Sequence, residues 1–336
     1  MKALRFRSKG TLALETVEKP TIGPEEVLLR VHSVGICGTD LHIYSGGMKV
    51  SEGSILGHEF SGVVELVGER VTNVRPGMPV VAEHVQNCGR CRYCLQGKPN
   101  LCQEARILGI HSPGALAEFM AVPAGLVHPI PETLGLQEAA LVEPLSIALY
   151  AVREAGFLLG SKVAVVGQGP IGLLVDQVLR QAGARVAGID VRKETLRFAE
   201  ERGWIDLALS PQDPQFAATV REWTGDGFDA VFEVVGKEET AELSLEIARK
   251  AGKIFILGIF ESPARLDLMQ IVKKELVVCG SYTCAFSFPE AIELAAQGRV
   301  DLKSLITHVY PVSEGEKAFE EASRYEGSRI KTLIRF

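Results

Sequence analysis

The sequence predicts an α/β protein in two parts, a mostly-β first half followed by a doubly wound parallel sheet. Three observations carry this. The chain has 336 residues, about twice the roughly 150 of a common single domain, so two domains are expected. Its first half is rich in Gly, Pro and Val, with short alternating stretches such as Glu26-Val27-Leu28-Leu29-Arg30-Val31 and Ser61-Gly62-Val63-Val64-Glu65-Leu66-Val67. Turn residues such as Gly23-Pro24 and Arg75-Pro76-Gly77 part them, which reads as strands. From about Gly160 apolar strands alternate with helical segments: Lys162–Val166, a helix to Ala182, Arg185–Ile189, and a helix from Lys193. The alternation continues through a strand at 228–235, a helix at 238–250 and strands at 253–258 and 275–281, as one parallel sheet covered on both faces requires. Phe288-Pro289 then opens another helix. No internal repeat, low-complexity segment or long linker interrupts the chain.

Composition removes several function classes. With 46% hydrophobic, 23% charged and 7% aromatic residues, the chain is neither disordered nor fibrous. Thirty-six cationic against 42 anionic side chains give a net charge of −6, which offers no general attraction to nucleic acid or to anionic membranes. No apolar run reaches the roughly 18 residues that span a bilayer, and the four cationic residues of the first ten have no apolar stretch behind them. A cytoplasmic location is expected.

Seven cysteines are an odd number, and Cys88, Cys91, Cys94 and Cys102 crowd into one short loop, which suits metal better than a disulfide framework. Four soft thiolates close a tetrahedral Zn2+ site with no open position, so its role should be structural, folding a Gly-rich lobe at residues 86–103 with little apolar material. An iron–sulfur cluster is the competing occupant, because C-x2-C-x2-C occurs there too. Other potential ligands are scattered: Cys37 in Gly35-Ile36-Cys37-Gly38-Thr39-Asp40-Leu41-His42, the pair His58-Glu59, and Glu143 in Val142-Glu143-Pro144-Leu145. Each alone means little, since a lone Cys is most often a small buried hydrophobe.

Gly167-Gln168-Gly169-Pro170-Ile171-Gly172 fits G-x-G-x-x-G. Its context gives it weight, for it follows the apolar strand Val163-Ala164-Val165-Val166 and opens a helix. Backbone N–H groups at the positive helix end can then face a pyrophosphate with no Cβ in the way. Asp190 closes the next strand, where an acidic residue bonds the adenosine ribose hydroxyls. It would repel a 2′-phosphate, which favours NAD over NADP, although Arg192 and Lys193 soften that preference. Together with such a site, Cys37, His58 and Glu59 fit an open catalytic zinc.

These residues resemble the zinc-dependent medium-chain alcohol dehydrogenase family over essentially the whole chain. Gly57-His58-Glu59, the four-cysteine lobe, Gly114-Ala115-Leu116-Ala117-Glu118-Phe119, the glycine fingerprint and Asp190 occur in the family's order. Glu143-Pro144-Leu145-Ser146, where simple alcohol dehydrogenases have a cysteine ligand, looks like the branch of sorbitol (L-iditol) and L-threonine dehydrogenases. The resemblance implies a partly open, GroES-like β-barrel catalytic domain at residues 1–145 and 288–336, and a Rossmann domain at 146–287. It implies NAD and two Zn2+ per subunit, one structural and one catalytic. The catalytic zinc would be held by Cys37, His58 and Glu59, with Glu143 either a ligand or the partner of the bound water. It would acidify the alcohol, hydride would pass to the nicotinamide, and the proton would leave through Thr39 and His42. Asp40 would orient a ligand imidazole or serve as a turn residue. Val235 and Gly258, at the ends of later strands, would lie under the nicotinamide, and a homodimer or homotetramer is implied.

The expected reaction is oxidation of a secondary alcohol, a polyol of the sorbitol type. L-Threonine is the alternative, because Cys37-Gly38-Thr39-Asp40-Leu41-His42-Ile43-Tyr44 looks like threonine dehydrogenases. Tyr282-Thr283-Cys284 stands where animal sorbitol dehydrogenases have Phe-Arg-Tyr, with an Arg near the sugar chain. A sugar-phosphate or sugar-acid substrate is a further alternative. From other classes come a zinc-ribbon binding module, disfavoured by the net charge, and a zinc-free reductase, disfavoured by the joint presence of Cys37, His58, Glu59 and Glu143.

Overall fold

The computed structural model describes residues 1–156, 158–324 and 327–336. The chain begins with an antiparallel hairpin, β1 (Lys2–Ser8) and β2 (Thr11–Thr16). Strand β3 (Glu26–Gly35) runs into helix α1 (Gly38–Ser45), followed by β4 (Glu59–Val67) and β5 (Pro79–Ala82). The lobe leaves the sheet between β6 (Val85–Gln86) and β7 (Arg106–Ile107), which pair with each other and enclose the single turn α2 (Arg92–Leu95). Then come β8 (Phe119–Pro123), β9 (Val127–Pro129), α3 (Leu136–Ala139) and α4 (Val142–Ala155). The parallel-sheet half is β10 (Lys162–Val166), α5 (Pro170–Gln181), β11 (Arg185–Ile189), α6 (Lys193–Glu201), β12 (Leu207–Leu209), α7 (Phe216–Thr224) and β13 (Phe228–Glu233). It continues with α8 (Glu238–Ile247), β14 (Ala248–Ile256), α9 (Leu268–Lys274) and β15 (Val277–Gly280). The chain ends with α10 (Phe288–Ala296), β16 (Ile306–Pro311), α11 (Gly315–Ser323) and β17 (Lys331–Arg335).

Two compact units result, Met1–Ser146 with Ala285–Phe336, and Ile147–Cys284. In the first, seven strands make one mixed sheet in the order β16-β17-β3-β4-β5-β9, with β8 pairing the start of β3. Alternation buries Val27, Leu29, Val31 and Val34 of β3 with Phe60 and Val64 of β4 in one apolar cluster. In the second, six strands run parallel in the order β12-β11-β10-β13-β14-β15. The chain turns one way from β10 to β11 and the other way to reach β13, so the carboxyl ends of β10 and β13 flank a switch point, where open α/β sheets bind ligands.

Several boundaries differ from the sequence reading, each for a tertiary reason. The helix expected to run to 250 ends at Ile247, and Ala248 already pairs with Phe228 while Arg249 Nε lies 2.7 Å from Asp229 Oδ1. The strand expected to reach 235 stops at Glu233, whose Oε1 accepts the N–H groups of Val235 (2.9 Å) and Gly236 (2.8 Å) and turns the chain. Glu275 is left-handed (φ 50°) and caps α9, so β15 starts at Val277. The short strand β12 and the helix α7 had no sequence counterpart.

Among the buried polar residues of the second unit, an acid on α5 stands out. Asp176 on α5 is fully buried, and among the described residues neither carboxylate oxygen meets a partner at full hydrogen-bond geometry. Burial pushes its carboxyl well above the usual range, with Gln168 the one group favouring the ionised form. A carboxyl raised in the folded state binds more protons folded than unfolded, so stability falls as pH rises from the unfolded pKa toward the folded one. The loss is about 1.4 kcal/mol per pH unit across that window. Asp176→Asn should therefore gain in stability relative to wild type as pH rises above the ordinary carboxylate range, read by urea unfolding across a pH series; a pH-independent difference would contradict the neutral buried acid.

Candidate metal centre and dinucleotide site

The metal centre forms where β3 ends. Cys37 caps α1, and Asp40 accepts the Cys37 N–H at 3.0 Å, so the first turn of the helix fixes the cysteine. The other Asp40 oxygen accepts the Gly57 N–H (3.3 Å) and lies 3.8 Å from His58 Nδ1, tying the start of β4 to α1. Ligand atoms of Cys37, His58 and Glu59 lie within 4.8 Å of one another, and Glu143 stands outside that set. Thr39 is partly exposed on the first turn of α1, and His42 follows one turn on.

This cluster is dense in buried charge. Glu59, 1% exposed, pairs with Lys331 of β17, itself 2% exposed, whose Nζ also donates to Ile36 O at 3.0 Å. Gly35 makes room for the pair, since a Cβ there would stand 2.2 Å from Glu59 Oε2 and 2.9 Å from Lys331 Cε. Burial, with Glu143 beside it, raises the Glu59 carboxyl against the opposing pull of Lys331. Burial and Glu59 likewise push the Cys37 thiol well up. A half-buried thiol converging with a buried imidazole and a buried carboxylate fits a cation, and the mixed S, N, O donor set with three protein ligands fits a zinc with an open place.

Glu143, in the first turn of α4, meets a different partner. Its Oε1 lies 2.8 Å from Nδ1 of His84, and both side chains are 6% exposed. Burial would raise the Glu143 carboxyl, but His84, then His58 and Lys331, outweigh it and hold it low. Neither His84 nor Lys331 was singled out from the sequence. The available signal was a charged or polar residue inside an otherwise apolar run, Val80-Val81-Ala82-Glu83-His84-Val85 and Ile330-Lys331-Thr332-Leu333-Ile334.

In the lobe, Cys88, Cys91, Cys94 and Cys102 also bring their sulfurs within 4.8 Å of one another. Tetrahedral Zn–S bonds of about 2.3 Å require S···S edges of about 3.8 Å, and Cys91 lies 3.6 Å from Cys94 and 3.9 Å from Cys102. Backbone N–H groups of Cys88, Cys91 and Glu104 point at the sulfurs at 3.3 Å. Spacing this tight fits one ion rather than an iron–sulfur cluster, whose several irons would hold the thiolates farther apart.

The dinucleotide turn lies in the second unit. Gly167 takes φ +106°, and a Cβ there would strike Val235 Cγ2 at 2.5 Å; at Gly172 it would meet Gly167 O at 1.9 Å. Gly169 is the N-cap of α5, Pro170 fills N1 and Ile171 follows, while a Cβ on Gly169 would project into open space. That bare helix start is the cradle a pyrophosphate needs. Gly258 packs backbone to backbone on Gly236, a Cβ there lying 2.1 Å from the Gly236 nitrogen, which places Val235 and Gly258 at adjoining strand ends. Asp190 does more than expected, because Oδ2 accepts the Gln168 N–H (2.6 Å) and Oδ1 the Arg192 N–H (2.8 Å). The Arg192 guanidinium donates to Gln168 O at 3.2 Å, over the same turn.

A doubly wound sheet with a glycine-rich turn, in one chain with a unit carrying one open donor set and one closed sulfur set, defines a zinc-containing, nicotinamide-dependent oxidoreductase. Residues 23–132 match the family described as alcohol dehydrogenase GroES-like domain, and residues 170–297 match zinc-binding dehydrogenase. The chain is 39% identical over 316 residues to 2-dehydro-3-deoxy-L-galactonate 5-dehydrogenase of Pseudoalteromonas atlantica, covering 92% of each chain. It is 34% identical to sorbitol dehydrogenase of Halalkalibacterium halodurans, covering 99% of each. Among solved structures it superposes with a TM-score of 0.92 on a Sinorhizobium meliloti protein described as a zinc-binding dehydrogenase, bound to NADP (32% identity, 100% and 99% covered). On an alcohol dehydrogenase of Escherichia coli CFT073 complexed with NADH the score is 0.94 (31% identity, 100% and 99% covered). The chain belongs to the zinc-dependent medium-chain alcohol dehydrogenase family. It is an oxidoreductase acting on small-molecule alcohols with zinc and a nicotinamide dinucleotide.

Elemental analysis should find two zinc ions per chain. Cys91→Ser should lose one of them and melt roughly 5 °C or more lower; an unchanged zinc content would remove the sulfur set from its role. Asp190→Ala should raise KM for NAD+ ten- to a hundredfold, roughly the 1.5–3 kcal/mol of a charge-assisted hydrogen bond. Because the same carboxylate shapes the turn, KM for NADP+ should fall less than NAD+ binding is lost, which paired titrations would measure.

Proposed function

We propose that the chain oxidises a secondary hydroxyl of a polyhydroxylated substrate, a polyol of the sorbitol type or its sugar acid, with NAD+. The observation that supports this reading is the donor set itself: Cys37, His58 and Glu59 converge, and a second carboxylate, Glu143, stands beside them. A metal bound there supplies Lewis acidity toward the substrate hydroxyl, and the nicotinamide accepts hydride. The chain's own residues do the rest. Asp40 steadies His58, and Lys331 balances the charge of Glu59. The Thr39 hydroxyl receives the substrate proton and His42, one turn along α1, passes it to water. Gly167 to Gly172 cradle the pyrophosphate, and Asp190 holds the adenosine ribose and prefers NAD over NADP. Residues 1–145 with 288–336 serve as the catalytic, zinc-binding domain and 146–287 as the dinucleotide domain.

A second reading, oxidation of L-threonine, is favoured by the segment Cys37 to Tyr44. For assembly, the unpaired edge of β15 exposes Val277 and Val278, and Leu268, Met269 and Val272 are exposed on α9 before it. Such an edge supports self-association into a homodimer or homotetramer. Among the described residues no helix is long and apolar enough to cross a membrane, and seven free cysteines suit the reducing cytoplasm.

The deciding assay is NADH formation against sorbitol, L-iditol, xylitol, galactitol, sugar acids, L-threonine, butane-2,3-diol and sugar phosphates, with and without chelator. Chelator-sensitive oxidation of a polyol or sugar acid is the expected outcome, and preference for L-threonine would overturn it in favour of the second reading. Cys37→Ser and His58→Ala should fall to background turnover while still quenching with NADH like wild type; retained turnover would overturn the metal centre.

A further inference from the structure

We propose that His84 is a positioning residue that holds Glu143 off the catalytic metal, leaving Cys37, His58 and Glu59 as its protein ligands and the fourth place open. The proposal rests on the reading of those three residues as the metal centre. His84 follows β5 and is 4% exposed. Its ring lies 5.7 Å from that of His58, centroid to centroid, so both imidazoles border one site. Its Nδ1 is 2.8 Å from Glu143 Oε1. Two other charged or ionisable groups of the centre, Lys331 and His58, have partners of their own. Lys331 is already committed to Glu59 and to Ile36 O, and His58 belongs to the ligand set. His84 is therefore the partner that keeps Glu143 in place without metal.

A buried carboxylate left without a partner costs several kcal/mol. Remove the His84 ring, with Lys331 held by Glu59 and His58 in the ligand set, and a bound metal is the compensation left for Glu143 to seek. The carboxylate would then close on it, fill the fourth place and exclude the substrate hydroxyl. In wild type the imidazole makes the stand-off position the stable one. Glu143 thus stays beside the open place, where it can accept a hydrogen bond from whatever enters.

Cobalt substituted for zinc reports coordination in its visible spectrum, and the four-thiolate lobe adds the same background to every variant. Glu143→Gln alone should leave the cobalt spectrum of the wild type unchanged. His84→Ala should alter the spectrum, and adding Glu143→Gln to it should restore the wild-type spectrum. His84→Asn, which keeps an N–H near the position of Nδ1, should also keep the wild-type spectrum. In the zinc enzyme, kcat of His84→Ala should fall roughly ten- to a hundredfold with NADH affinity unchanged. A shifted spectrum in Glu143→Gln overturns the proposal, as does an unshifted one in His84→Ala or a shift that survives in the double variant. Should His84→Ala fail to fold, the Glu143→Gln and His84→Asn spectra decide alone. Cys37→Ser serves to separate the two readings: if it leaves the cobalt spectrum untouched, the metal assignment itself has failed.

Discussion

Buried negative charge is the constraint on which the first unit turns. Asp40, Glu59 and Glu143 are each 5% exposed or less, with Cys37 beside them. Isolated, such carboxylates would neutralise or open the fold. Each instead has a fixed compensation supplied by a different element: backbone N–H groups of Cys37 and Gly57 for Asp40, Lys331 of β17 for Glu59, His84 after β5 for Glu143. The seven-stranded sheet is what brings these elements together. β17 pairs the end of β3 with Leu333 opposite Gly35, which sets Lys331 against Glu59 across the glycine that leaves it room.

The two sulfur-bearing sites solve opposite problems with related chemistry. Four thiolates in one short loop leave no coordination place for anything else, so that lobe gains rigidity from a metal where it has little apolar surface to bury. Around Cys37 the donors come from separated parts of the chain and are anchored to the apolar cluster beneath β3 and β4. Rigidity there comes from packing and ion pairs, which would leave a metal held by these donors free to keep a place for substrate.

Legibility in the sequence followed the range of the interaction. The parallel strands, the glycine turn and the sulfur lobe are local, so period, glycine spacing and cysteine spacing revealed them. Residues 248–250 read as helix because Ala248-Arg249-Lys250 are helix formers, yet pairing with Phe228 and the Arg249–Asp229 contact make them strand. Cys37, His58, Glu59 and Glu143 were visible only jointly, through resemblance, since no local rule joins them. Lys331 and His84 stayed hidden because their meaning lies in the partners they meet, and those partners are fixed by sheet register rather than by neighbours in sequence.

In the second unit, the carboxylate proposed to choose the cofactor also shapes the glycine turn. Asp190 accepts N–H groups from Gln168 inside the glycine turn and from Arg192 just beyond it. Arg192 returns a hydrogen bond to Gln168 O. Replacing Asp190 would therefore also loosen the glycine turn itself. Arg192 is a cation beside the same turn, and its charge is partly spent on Asp190, 3.5 Å away. If Asp190 holds the ribose as proposed, a change at either residue would alter the turn as well as the discrimination between the two dinucleotides.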